Sequence, residues 1–114
     1  MLNVCRTKLA KKDYKNGELY RKLGDYYAAL VYFNSVIDNY YDTKYVLDAL
    51  FWKGECLYRM HRWQEARQAF ETLLARFPKN NYKRKVIERL EKIDSKLQHV
   101  QTDGKAVTGN QKKN

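Results

Sequence analysis

"GECLYRMHRWQEARQAFETLLARFP", Gly54 to Pro78, is a second copy of "GELYRKLGDYYAALVYFNSVIDNYY", Gly17 to Tyr41. A shift of 37 positions superposes them without a gap. Gly17 falls on Gly54, Glu18 on Glu55, Ala29 on Ala66 and Phe33 on Phe70, while Tyr26/Trp63, Val36/Leu73, Ile37/Leu74 and Tyr40/Phe77 keep their character. Self-similarity at such a period marks stacked supersecondary units that bury a core only together. Each copy also holds a glycine inside a helical pattern, where it costs roughly 1 kcal/mol against alanine. A cost carried twice at the same place points to a close approach that needs the missing side chain.

The spacing Gly-x2-Tyr or Leu, then Ala-x3-Phe, then a closing proline at Pro78, resembles the tetratricopeptide repeat of two antiparallel helices, whose usual period is about 34. In that register Gly17 and Gly54 sit midway along helix A of each unit, and Ala29 and Ala66 are the small residues that helix B presents there. Small against small predicts backbones at the close end of the roughly 8–10 Å interhelix range. Tyr20, Leu23, Phe33, Val36 and Ile37 then fill the first unit, and Leu50, Leu57, Met60, Phe70, Leu73 and Leu74 the second, all at three- and four-residue steps. Gly24-Asp25 and His61-Arg62 form short links that turn the helices antiparallel.

The expected fold is therefore all-α, a tetratricopeptide-like α-solenoid of two helix-turn-helix repeats plus a C-terminal capping helix. Helices are expected over about Thr7 to Leu23, Tyr26 to Tyr40, Lys44 to Met60 and Trp63 to Phe77, giving repeats at about 7–41 and 44–78. Asp42 or Thr43 is the expected N-cap of the third helix. A fifth helix, about Asn81 to His99, carries Val86, Ile87, Leu90, Ile93 and Leu97 on one face, the pattern of a helix that covers the open end of a solenoid. The repeat domain thus spans 1–99. From Val100 on, "QTDGKAVTGNQKKN" has turn formers and no apolar periodicity, and is expected to be a disordered basic tail over 100–114.

Composition agrees with this. The 114 residues include one proline, five glycines and ten tyrosines, too few turn formers for a β-sandwich. No apolar run approaches the about 20 residues of a membrane-spanning helix. "MLNVC" has neither the basic nor the apolar region of a signal peptide. Cys5 and Cys56 match no metal spacing, and Cys56 reads as a buried structural thiol. A formal net charge of +10 favours anionic partners: an acidic protein face, anionic lipid or nucleic acid.

Catalysis finds little support. His61 falls in a turn and His99 at the edge of the tail, neither beside an evident nucleophile or carboxylate. There is no P-loop, HExxH, CxxC or dinucleotide fingerprint, and no cofactor or metal is expected. A solenoid of helix pairs lines its concave face with the A helices. The register places Tyr14, Glu18, Arg21 and Lys22 there from the first unit, and Asp48, Phe51, Trp52, Glu55 and Arg59 from the second. Aromatic and arginine side chains at the centre of a groove are the types that dominate interfaces, so these nine are the candidate partner-binding residues.

The wording of the repeats carries a closer resemblance. A Cys-x2-Lys-Leu-Ala opening (Cys5, Lys8, Leu9, Ala10), a Gly-x-x-Tyr helix (Gly17, Tyr20), a Tyr-x-Ala-Ala second helix (Tyr26, Ala28, Ala29) and a Tyr-Asp-Thr link (Tyr41, Asp42, Thr43) follow in the order seen in outer-membrane assembly lipoproteins of the BamD (YfiO) type. The resemblance covers about Cys5 to Pro78. It implies a C-terminal part of a periplasmic, membrane-anchored scaffold of the machine that assembles β-barrel proteins, docking on the POTRA region of the barrel subunit BamA. It also implies a place at the periplasmic face of the outer membrane; without it the chain reads as cytoplasmic. Ala49, Leu50, Trp52, Gly54, Glu55 and Cys56 resemble instead a helix of the periplasmic CpoB (YbgF) cell-division coordinators. A basic helical-repeat module for nucleic acid is the alternative of a different class, though no stacking platform or recognition motif is visible for it.

Overall fold

The computed structural model describes the backbone of residues 2–109 and the side chains of residues 6–98. Five helices follow in order: α1 (Leu2–Lys22), α2 (Tyr26–Asn39), α3 (Tyr45–Arg59), α4 (Trp63–Arg76) and α5 (Lys83–Gly109). No strand occurs among the described residues. α1 and α2 form one antiparallel hairpin, α3 and α4 the next, α2 packs against α3, and α5 lies on α4. The α-solenoid of two helical hairpins and a closing helix is the expected all-α architecture.

Turn chemistry explains why the hairpins close. At the end of α1 the Gly24 N–H reaches the Arg21 carbonyl at 3.0 Å and the Asp25 N–H the Tyr20 carbonyl at 2.9 Å, the paired bonds of a Schellman ending. His61 and Arg62 repeat them onto Tyr58 and Leu57 at 3.1 and 2.9 Å. Such an ending needs a left-handed residue, and Gly24 has φ 86° while His61 adopts φ 63° without glycine's freedom. Asp25 then caps α2, its carboxylate accepting the Ala28 N–H at 3.1 Å.

Neither Asp42 nor Thr43 caps α3. Lys44 is the cap residue and makes no side-chain cap bond. Asp42 is drawn to Arg6 of α1, whose guanidinium reaches it at 2.6 Å and the Asn39 carbonyl at 2.8 Å. Thr43 turns back to donate to the Tyr40 carbonyl at 2.8 Å. A charged partner outcompetes the weak demand of an exposed helix start. Near α5, Asn80 organises the entry, its amide donating to the Phe77 carbonyl and its oxygen accepting the Tyr82 N–H at 2.7 Å.

The core runs through both hairpins: Ala29, Phe33 and Val36, then Val46, Leu50, Phe51 and Leu57, then Ala66, Phe70 and Leu73, closed by Val86 and Ile93 of α5. Tyr20, Ile37, Met60, Leu74, Leu90 and Leu97 are half-buried against it, and two expected core residues are exposed. Leu23 is 69% exposed because the Schellman turn swings the end of α1 past its partner, and Ile87 is 40% exposed because α5 presents Val86 and Ile93 instead. The small-on-small contact is also corrected. A β carbon on Gly17 would lie 2.7 Å from the Phe33 ring, and one on Gly54 2.5 Å from the Phe70 ring. Each glycine makes room for the aromatic ring of helix B, while Ala29 and Ala66 are simply fully buried beside it.

Helix ends agree with expectation within a residue or two for α2, α3 and α4. α1 starts earlier than Thr7, and α5 continues as helix to Gly109, past the expected end at His99, which puts the first part of the expected tail on helical backbone. The side chains of Cys5 and His99, and the tail residues 110–114, lie outside the described residues.

Candidate functional site

The nine candidate groove residues divide into those engaged by α5 or by Tyr82 just before it and those left open. Asp48, Phe51 and Glu55 project from α3 toward α5. Phe51, 2% exposed, stacks on Tyr82 with ring centroids 4.1 Å apart and planes 10° apart. The Tyr82 hydroxyl donates to Asp48. Glu55, 4% exposed, takes a two-point ion pair from Arg89, with Nε at 2.7 Å and the terminal nitrogen at 3.1 Å. A buried carboxylate persists only with such a partner. Arg89 also lies over the Tyr58 ring at 4.5 Å, and its hydrogen bond to Glu55 holds its proton more firmly than usual. Tyr82 and Arg89 each follow their partners, Asp48 and Glu55, by 34 positions. α5 therefore occupies the place of the next A helix.

Of the other six, Arg21, Lys22, Trp52 and Arg59 line a cavity of about 330 Å³ among α1, α3 and α5, with Tyr26 of α2 at its edge. Arg21 lies over the Trp52 ring at 4.0 Å, a cation–π contact that fixes both. Its Nε is buried with no hydrogen-bond partner among the described residues. Lys22, Arg59 and Lys85 are exposed on the same cavity and none forms an ion pair among the described residues. Glu55 is the one carboxylate lining it, and Arg89 holds that charge already. Tyr14 and Glu18 sit further along α1, both half-buried. Tyr14 tilts against Phe33 and Tyr45 at 5.8 and 5.7 Å, and burial, helped by the charges of Glu18 and Asp48, pushes its hydroxyl above the usual phenol range. Tyr20 stacks on Tyr32 at 5.6 Å, Leu57 is buried in the core, and Pro78 is exposed just past α4.

Sequence reasoning missed the second half of this cleft. A further cavity of about 430 Å³ shares Tyr26, Arg59 and Arg89 with the first and opens at the α3–α4 turn. Its walls include Tyr58 edge-on to Trp63 at 5.3 Å and His61 stacked on Trp63 at 5.0 Å, with Lys96 beside that ring at 5.9 Å. The signal available was spacing: about 34 positions on from Glu55 lies an arginine of opposite charge.

A separate outer groove of about 400 Å³ runs between α2 and α4 over Leu50 and Leu57. Its lining holds Lys53 and an Arg62–Glu65 pair at 3.7 Å. Cys56 is buried at the cleft floor, and burial, outweighing the opposing charges of Arg21 and Arg59, pushes its thiol up to about 12. It is a protonated packing group at neutral pH. No cluster of three metal-ligating side chains and no helix long and apolar enough to cross a membrane occurs among the described residues. The arrangement can hold anions and rings.

Among proteins of known function no match to the chain is found. Residues 9–42 and 47–80 each match the family described as tetratricopeptide repeat. Those two segments are the α1/α2 and α3/α4 hairpins, and repeats of this kind are typically protein-binding modules without catalytic chemistry. With its two units in tandem, sharing one core and one glycine-under-phenylalanine contact each, the chain belongs to the tetratricopeptide-repeat proteins.

Proposed function

We propose that the chain is a non-catalytic docking scaffold acting as the C-terminal part of a BamD-like subunit of the machinery that assembles β-barrel proteins into the outer membrane. Its partner would be the POTRA region of a BamA-like barrel subunit, met at the periplasmic face of that membrane. One observation carries the docking role: Arg21, Lys22, Arg59 and Lys85 line a concave cavity and have no ion-pair partner among the described residues. Four such cations repel one another and draw an anionic partner. The motif order from Cys5 to Thr43 supports the finer assignment.

Calorimetry of the full chain with purified POTRA domains tests this. Saturable binding is expected, weakened by Arg59→Glu and by added salt. Absence of binding at high concentration, with Arg59→Glu changing nothing, would remove the finer assignment. Preferential capture of anionic vesicles or of a single-stranded oligonucleotide, with the very steep salt dependence of phosphate contacts, would replace it with a lipid or nucleic-acid role.

A further inference from the structure

We infer that the two joined cavities form one bipartite site for an acidic segment of a partner protein that also presents an aromatic side chain. This rests on the docking role proposed above and names what is docked. The cationic end is formed by Arg21, Lys22, Arg59 and Lys85, and the aromatic end by Tyr58 and Trp63, with Arg59 and Arg89 lining both.

The cationic end has capacity for more than one carboxylate. Glu55 neutralises Arg89, while Arg21, Lys22, Arg59 and Lys85 have no ion-pair partner among the described residues. The Arg21 Nε–H is buried with no hydrogen-bond partner among the described residues, an orphan donor that an incoming acceptor would satisfy. Trp52 holds the Arg21 guanidinium in place, so little side-chain freedom remains to be lost on binding.

The aromatic end marks the ligand as protein rather than nucleic acid. Trp63 has His61 stacked on one face and Tyr58 meeting it edge-on, while Arg21 covers Trp52 and Arg89 covers Tyr58. Bases need open ring faces on which to stack. A side-chain ring entering edge-on, as aromatic pairs in proteins prefer, needs none. The repeat supplies an internal comparison. The first unit makes the same turn with Gly24, whereas the second places His61 in the left-handed region against Trp63, on the lip of this cavity. A side chain kept where glycine would suffice is strain stored at a site of contact.

The test titrates the full chain with synthetic peptides, reading anisotropy of a labelled peptide and emission of Trp52 and Trp63. One peptide joins a run of glutamates to a phenylalanine, a second has glutamines for the glutamates, and a third has alanine for the phenylalanine. The first is expected to bind and shift tryptophan emission. The glutamine peptide should bind roughly tenfold or more weakly, having lost its charge-assisted hydrogen bonds, and the alanine peptide about threefold or more weakly. The double variant Arg59→Glu/Lys85→Glu, at exposed positions that leave the core intact, should lose the acidic peptide, and Tyr27→Ser on the outer groove should not. Equal affinity for the glutamate and glutamine peptides overturns the inference. So does an unchanged affinity of the double variant, or tighter binding of an oligothymidylate of equal charge. If the peptides fail while POTRA domains still bind, this inference falls and the docking scaffold stands; if both fail, both fall.

Discussion

Gly54 lies beneath the ring of Phe70: a β carbon there would stand 2.5 Å from Phe70 Cε1, and Gly17 repeats the relation to Phe33 at 2.7 Å. Phe70 is 0% exposed, so its ring has nowhere to retreat. Helix propensity alone would make Gly54→Ala stabilising by about 1 kcal/mol. Overpacking costs about 1–3 kcal/mol, so the variant is expected to be less stable in urea melts. Gly54→Ala/Phe70→Leu should recover part of that loss, with a coupling above about 0.5 kcal/mol. Strictly additive effects would show that the two residues do not meet.

Gly24 is needed for a different reason. Nothing lies within 4 Å of a β carbon there, but its φ is 86°. Gly24→Ala is expected to cost about 1–2 kcal/mol through backbone strain alone. Because no neighbour is involved, no second-site truncation should rescue it. A thermal melt unchanged from the parent would mean the turn relaxes without the left-handed residue.

The helix pairs were legible because period, turn residues and small-large alternation all agreed on one register. The partner of each glycine was not. A register names the face of a helix but not which residue of the opposite helix reaches it, and the ring of Phe70 extends to a backbone that Ala66 does not. The groove was half legible for a related reason. Asp48, Phe51 and Glu55 do lie on the A-helix face expected for them, but whether that face is open depends on how α5 is rotated about its own axis. Val86 and Ile93 set that rotation, and with it Tyr82 and Arg89 turn inward while Ile87 turns out. An apolar stripe that includes Ile87 on equal terms hides this choice.

The Glu55–Arg89 pair ties α5 to the second repeat. Its side chains are 5% and 19% exposed, so neither charge is well solvated. Glu55→Gln leaves the Arg89 cation without its partner, and a loss of about 2–4 kcal/mol is expected, somewhat below a fully buried pair because Arg89 keeps contact with water. Glu55→Leu/Arg89→Met, which removes both charges, should lie closer to the parent than Glu55→Gln does. Amide hydrogen exchange over α5 gives the local readout: faster exchange in the single variant, largely restored in the double. Equal stability of parent and Glu55→Gln would mean the pair contributes nothing.

Alkaline pH should loosen the fold through its buried thiol and phenols. Burial pushes the Cys56 thiol from 9.0 up to about 12, and raises the Tyr14 and Tyr82 hydroxyls above their ordinary 10.0, Tyr82 further through its bond to Asp48. For each group the folded chain keeps its proton after the unfolded chain has released it. Their contribution is therefore complete below the unfolded values, near pH 9 for the thiol and 10 for the phenols, and is lost as pH rises through the folded ones. Above pH 9 the thiol alone should remove about 1.4 kcal/mol of stability per pH unit. In a Cys5→Ser background, urea melts from about pH 7 to about pH 10.5 are expected to be flat and then to fall. Cys56→Ala, whose packing loss does not depend on pH, should delay the fall until the tyrosines begin to ionise. At neutral pH the Cys56 thiol should react with a disulfide reagent only as fast as the chain opens. Parallel pH curves for the two proteins would show that the thiol is not protected by the fold.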